Sequence, residues 1–309
     1  MSPTQDHAEF QTADLDGVLA GVLAGVRALI LDADGVLLYA GKPLPGAVDA
    51  LLRLEAASIP CRVVTNYSSA HRRSLAAGVS RSFGIPVDPA RLITAASTAA
   101  GYTARHHRGE PLFVLASPDA LGEWDGQHTL TADEADRDTA SVGAVVIGDA
   151  GDDLSFRNLN IAFRAIRAGA AFVAMHRNPW WVTAHGVTLD AGALVAGLEY
   201  SLGRRAIVTG KPSRFVFREA AAALAEEVAS AGPGPRLRLR DIAMVGDDLQ
   251  TDVAGAHQAG LRGILVLSGK TDSATVEAAA TAGKLRGTAR PDAVALDVGT
   301  VVEALLASR

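Results

Sequence analysis

The chain has 309 residues, room for two domains or for one domain carrying a large insertion. Its 49% hydrophobic and 20% charged residues fit a globular protein, and a net charge of −5, with Lys and Arg scattered and outnumbered, argues against nonspecific nucleic-acid binding. A single cysteine, Cys61, rules out an intrachain disulfide, and no Cys/His cluster has zinc spacing.

From the first residue, MSPTQDHAEF places acids where a secretory leader carries a basic region. The first 12 residues are expected to be disordered. The most apolar stretch, 17–31, is interrupted by Arg27 and is too short to span a bilayer, so a soluble, cytoplasmic protein is the expectation. Residues 14–26 have the character of a helix start, with Asp14 or Asp16 near its positive end. Beyond residue 27 the short apolar runs ALILD (28–32), CRVVT (61–65), IAMVG (242–246) and GILVL (263–267) predict fully buried strands. Cys61 then sits at a buried strand start. Helical patterns cover 46–57, 70–83, 213–230 and 251–259, and the alternation predicts a doubly wound parallel α/β sheet. The middle repeats the theme. PLFVLA (111–116), VGAVVIG (142–148) and AAFVAM (170–175) are strand-like, with a helix at 155–169, so a second α/β unit of about 108–205 is inserted in the first. ASAGPGPRLRLR (229–240) is a Pro/Gly loop.

Asp-x-Asp-Gly-Val-Leu occurs twice, at 14–19 and at 32–37. In an open α/β sheet ligands bind beyond the carboxyl ends of the strands, so a working pair of carboxylates must follow a buried strand directly. RALILDADG meets that condition and EFQTADLDG does not. Side chains two residues apart in extended backbone point the same way, so Asp32 and Asp34 can face one phosphate, and Gly35 permits a sharp turn. Three further stretches join them. VVTNYSS (63–69) puts Thr65 and Asn66 at a strand end, where a hydroxyl, an amide and free N–H groups can hold phosphate oxygens. VTGKPS (208–213) supplies Lys211 as a compact cation, and MVGDDLQTD (244–252) supplies Asp247, Asp248 and Asp252 as hard oxygen ligands for Mg²⁺.

At these residues the chain resembles the haloacid-dehalogenase superfamily of phosphatases, from about residue 27 to the end. The long insertion between VVTN and GKP resembles its NagD-like subfamily, subclass IIA. MHRNPWWVTAHGVTLDAGALVAGLEY (175–200) is nearest the branch containing phospholysine/phosphohistidine/pyrophosphate phosphatase, whereas TNYSS is nearer the bacterial NagD type, so the branch stays open. The resemblance implies an N-terminal extension (1–26), a Rossmann-like catalytic core (27–107 and 206–309) and an inserted α/β cap (108–205). It implies a Mg²⁺-dependent phosphatase acting on a small phosphorylated metabolite through an aspartyl-phosphate. Asp32 would be the nucleophile and Asp34 the general acid and base. Mg²⁺ would be held by Asp32, the main-chain carbonyl of Asp34 and Asp247, with Asp248 and Asp252 orienting its waters. Thr65, Asn66 and Lys211 would stabilise the phosphoryl oxygens. Tyr67 departs from relatives that carry a second asparagine there.

The cap would close over the site and select the leaving group. In HRNPWW, His176 and Arg177 can meet an anionic substrate, and Trp180 and Trp181 can stack on a ring. Equally, the two tryptophans can pack the cap core or a homodimer interface through the cap. No role is assigned to His71, His106, His107, His185 or His257. Three rivals remain on sequence grounds: a phosphotransferase or phosphomutase on the same scaffold, an inactive binding protein, and a dinucleotide-binding oxidoreductase. The last lacks any Gly-x-Gly-x-x-Gly after a strand.

Overall fold

The computed structural model describes residues 15–183, 186–283 and 285–309, so Asp14, His185 and the first 12 residues lie outside the described residues. In chain order the strands are β1 (Ala28–Leu31), β2 (Leu38–Tyr39), β3 (Lys42–Pro43), β4 (Cys61–Thr65), β5 (Leu92–Thr94), β6 (Leu112–Leu115) and β7 (Thr129–Leu130). There follow β8 (Ala144–Ile147), β9 (Ala171–Ala174), β10 (Trp180–Thr183), β11 (Gly186–Leu189), β12 (Ile207–Val208), β13 (Ile242–Gly246), β14 (Arg262–Val266) and β15 (Ala293–Ala295).

Two parallel sheets result. The larger has the order β15-β14-β13-β1-β4-β5, with every neighbouring pair parallel. From β1 the chain passes to β4 on one side and later to β13 on the other, so β1 marks the point where strand order reverses. That is where an open α/β sheet leaves a crevice. All four residues of β1 are buried, and the alternation of a strand divides them between two helical layers. Leu29 and Leu31 join Leu54, Val301 and Leu305 on one face, while Ala28 and Ile30 join Val216, Phe217 and Leu224 on the other. The helix Leu15–Leu23 belongs to the first layer: Leu19 and Leu23 are fully covered there, and Val22 and Ala24 carbonyls accept from Arg262. Asp16 of the first Asp-x-Asp copy thus lies in the opening turn of a packing helix.

The smaller sheet has the order β12-β9-β8-β6-β7, also parallel throughout. Because β12 pairs with β9, this sheet extends past residue 205 to Val208. One of its faces is covered by helices Phe156–Ala168 and Ala191–Leu202. The other is covered by the helix Ala95–His106, whose Ala95, Ala96, Ala99 and Ala100 pack on Leu112, Val114 and Met175. That helix also touches Arg214–Ser230 of the larger unit. Its run AASTAAG is small because the helix is buried on both sides, and large side chains would hold the two sheets apart. β10 and β11 form a separate antiparallel ribbon. Among the described residues no helix is long and apolar enough to cross a membrane.

Candidate active site

The carboxyl ends of β1, β4, β13 and β14 face those of β6, β8, β9 and β12 across one cleft, since residues following each of them touch one another. Asp32 ends β1, and its backbone N–H donates to Val245 at 2.9 Å, which fixes it level with the end of β13. Its carboxylate is buried, with Lys211 Nζ 2.5 Å from Oδ1. Lys211 lies three residues beyond β12, and its Nζ also stands 2.9 Å from Asp252 Oδ1. Asp32, Asp247 and Asp252 form a buried group whose oxygens lie within 4.8 Å of one another. These are hard oxygens held closely around one point, which fits a small divalent cation.

The surroundings define what each acid does. Burial pushes the Asp32 carboxyl well above the usual range, Lys211 opposes that, and Asp252 and Asp247 add to it. Burial and Asp252 together raise Asp247 to about 6. Lys211 is raised in turn: burial disfavours its charge, but Asp252 and Asp32 outweigh burial. Asp252 has no exposed surface: Oδ2 accepts from the backbone of Asp247 and of Asp248, each at 3.1 Å, and Oδ1 faces Lys211. It shapes the turn carrying Asp247. Asp248 points elsewhere, capping Gln250 and Thr251 and pairing with Lys270; burial opposes its ionisation, but these bonds hold its carboxyl below the usual range. Lys270 N also donates to Asp247 Oδ2 at 2.6 Å. Gly35, at φ 79°, and Gly269 close over the same carboxylate, and a Cβ on either would overlap it. Asp34 opens into the cleft, yet the protein around it desolvates its carboxyl enough to raise its pKa against the pull of Lys211.

The loop after β4 completes the core side. Thr65 is buried at the strand end, and its Oγ1 accepts from Tyr67 N at 3.1 Å. The Asn66 side chain clamps the backbone of Lys211: Oδ1 accepts from Lys211 N at 2.8 Å and Nδ2 donates to Lys211 O at 3.2 Å. Its amide therefore places the lysine. Gly210 is required beside it, because a Cβ there would strike Met175 O and Asn66 Oδ1.

HRNPWW divides in a way its spacing does not reveal. His176 is buried: Nδ1 accepts from Asn178 N at 3.3 Å, so the proton sits on Nε2, 3.0 Å from Ser68 Oγ and 3.6 Å from Asp190. Burial lowers its pKa, Asp190 and Asp149 opposing, so the ring is a neutral joint between cap and core. Arg177 pairs with buried Glu199 at 2.7 Å, which Arg205 shares at 3.0 Å. Backbone of residues 177–178 abuts Gly192, and Glu199 lies about 10 Å further along that helix, so the guanidinium leads away from the cleft. Both side chains are engaged by protein groups. Trp181 meets Tyr67 edge-on at 6.3 Å, whereas Trp180, on the opposite face of the ribbon, is half exposed. Four residues without a role in the sequence reading also converge here: Ser68, Asp149, Asn178 and Lys270. Asn178 Oδ1 accepts from Asn66 Nδ2 at 3.3 Å, and Asp149 Oδ2 from Ser69 Oγ at 2.5 Å. Ser68, Asp149 and Lys270 each lie within a few residues of the end of a buried strand, which is the one signal the sequence carried for them.

A buried aspartate ending the central strand, a lysine bridging it to a second acid, and a cap sheet facing the same crevice define a phosphatase-type hydrolase. Residues 29–128 match the haloacid dehalogenase-like hydrolase family and residues 208–301 a related HAD-hydrolase-like family, and the chain belongs to this superfamily, in its NagD-like branch. It is 32% identical over 254 residues to the phospholysine phosphohistidine inorganic pyrophosphate phosphatase of Rattus norvegicus, across 80% of this chain and 85% of that one. The p-nitrophenyl phosphatase of Archaeoglobus fulgidus superposes with a TM-score of 0.77 at 26% identity, covering 90% of this chain and 98% of that one. The glycerol phosphate phosphatase of Mycobacterium tuberculosis in complex with magnesium gives 0.72 at 26% identity, covering 91% and 77%.

Proposed function

We propose that this chain hydrolyses a small-molecule phosphate monoester, with Mg²⁺ as cofactor, through an aspartyl-phosphate on Asp32. The observation that carries the reading is the contact of Lys211 with both Asp32 and Asp252 at the sheet's switch point. A lysine so placed favours the ionised, nucleophilic form of Asp32 against desolvation and adds positive charge where phosphoryl oxygens arrive.

Asp32 attacks phosphorus, forming one P–O bond as the bond to the leaving oxygen breaks. Asp34 gives that oxygen its proton, which a raised carboxyl pKa favours. With the leaving group gone, the same carboxylate removes a proton from water, whose oxygen attacks phosphorus, frees Asp32 and releases phosphate. Asp32, Asp247 and the main-chain carbonyl of Asp34 would hold Mg²⁺, which when bound would supply charge that offsets repulsion between carboxylate and phosphate. Thr65 and the loop after it hold the phosphoryl oxygens, Asn66 keeps Lys211 in place, and Trp181 with Tyr67 borders the leaving group.

Phosphate release from p-nitrophenyl phosphate, with and without chelator, tests the hydrolysis. Mass spectrometry of acid-quenched protein should find phosphate on the peptide carrying Asp32 and none in Asp32→Asn. Undiminished turnover by Asp32→Asn would end this reading.

A further inference from the structure

In the reaction proposed above, phosphorus meets Asp32 and the leaving oxygen meets Asp34, so the remainder of the leaving group lies where cap and core adjoin. The placement of that remainder rests on the hydrolase reading; the charges around it do not. Asp149 N donates to Ser68 Oγ at 3.1 Å, so Asp149 adjoins the loop carrying Tyr67, whose ring meets Trp181. Asp149 follows β8, is half-buried, and accepts from Ser69 Oγ at 2.5 Å and Gly151 N at 3.0 Å. A carboxylate has about four lone-pair directions, so two remain for a ligand. Among the described residues Asp149 has no ion-pair partner. The basic side chains nearby are held by others: Lys211 by Asp32 and Asp252, Lys270 by Asp248, and Arg177 by Glu199. The His176 ring is neutral by its hydrogen bonds.

We propose that this cleft selects phosphate esters whose leaving group is cationic or uncharged and rejects those carrying a second anion, with Asp149 as the discriminating carboxylate. An ammonium reaching Asp149 gains a charge-assisted hydrogen bond. A second anion meets an unbalanced negative charge in a half-buried site, where solvent screens it poorly. The Tyr67–Trp181 pair supplies an apolar wall that tolerates neutral leaving groups.

The test separates binding from turnover. Titration calorimetry on Asp32→Asn with Mg²⁺ present measures the affinities of phosphoethanolamine, glycerol phosphate and phosphoglycolate. Phosphoethanolamine should bind about tenfold more tightly than phosphoglycolate, with glycerol phosphate between them. Adding Asp149→Asn keeps an acceptor for Gly151 and a partner for Ser69, and should reduce that ratio to within about twofold while glycerol phosphate hardly changes. Equal affinities, or a preference for phosphoglycolate, in Asp32→Asn alone overturn the proposal, whether or not the double variant folds. A ratio that survives Asp149→Asn, or a uniform loss for all three esters, overturns the assignment to Asp149. Phosphate release by the wild type is measured on the same esters. Intact binding selectivity without release refutes the hydrolase reading and leaves the charge preference standing.

Discussion

Asp252→Asn is an isosteric change at the point where the metal-binding turn and the phosphate-binding lysine are joined. It opens no cavity, so its cost is electrostatic. If the amide oxygen stays on the Asp247 and Asp248 N–H groups, the amide nitrogen faces Lys211, donor against donor. Breaking a buried ion pair costs about 3–5 kcal/mol, but Lys211 keeps Asp32 at 2.5 Å and the repulsion Asp252 exerts on Asp32 and Asp247 disappears. A net loss of about 2–3 kcal/mol follows. With an unfolding entropy near 2.1 cal/mol/K per residue, or about 0.65 kcal/mol/K for 309 residues, melting should fall by roughly 3–5 °C. Because the turn presenting Asp247 loses its charged acceptor, metal half-saturation or kcat/KM should worsen by about 10- to 100-fold. Differential scanning fluorimetry and Mg²⁺ titration of phosphatase activity read the two effects separately. Asp247→Asn, which alters a proposed ligand itself, should weaken metal dependence more than Asp252→Asn does. Unchanged melting together with an unchanged Mg²⁺ requirement in Asp252→Asn would refute the bracing role.

Asp32→Asn should abolish hydrolysis, whereas Asp14→Asn should leave kcat nearly unchanged; loss of activity in a folded Asp14→Asn protein would overturn the choice between the two copies. Excess chelator should stop turnover and Mg²⁺ restore it, while Ca²⁺ inhibits because its looser geometry lets the nucleophile bind with both oxygens; full activity in chelator would contradict the mechanism. Trp181→Ala should cost ring-bearing phosphates about 1–3 kcal/mol in discrimination and acetyl phosphate far less, while Trp180→Ala should alter neither, so equal effects would sink the division between the two faces. His257 offers a pH test remote from the catalysis. Its Nε2 faces Asp292 Oδ2 and its Nδ1 faces Thr288 O, both at 2.8 Å, so the charged ring suits two acceptors and its pKa is raised, chiefly by Asp292. A raised pKa contributes stability fully present below the unfolded value of about 6.5 and lost as pH rises through the higher folded value. His257→Asn should therefore lower melting more at pH 6 than at pH 9; an equal loss at both would show that the charge contributes nothing.

What could be seen in advance follows from where the physics is local. A run of four or five mostly apolar residues bounded by turn signals reads as a strand covered on both faces, and β1, β4, β13 and β14 are all marked in this way. Their ends therefore converge at one sheet edge, and Asp32, Thr65 and Asp247 come together there with Lys211 from the cap's last strand. The helix Ala95–His106 stays hidden because it is buried on both sides by small residues and shows no apolar stripe for a period of 3.6 to detect. β5 and β15 are three residues each, too short for a pattern. Side-chain direction beyond a strand end is harder still, since it is set by partners far along the chain. His176 points inward because Ser68, 108 residues earlier, receives it. Arg177 turns away because Glu199 is buried along the next helix. Asn66 serves Lys211, 145 residues later, rather than a ligand directly. Composition at the cleft was thus a poor guide to its charge: the basic pair in HRNPWW is spent on protein contacts, and a carboxylate in a Gly/Asp turn after β8 is left to face whatever the phosphate is attached to.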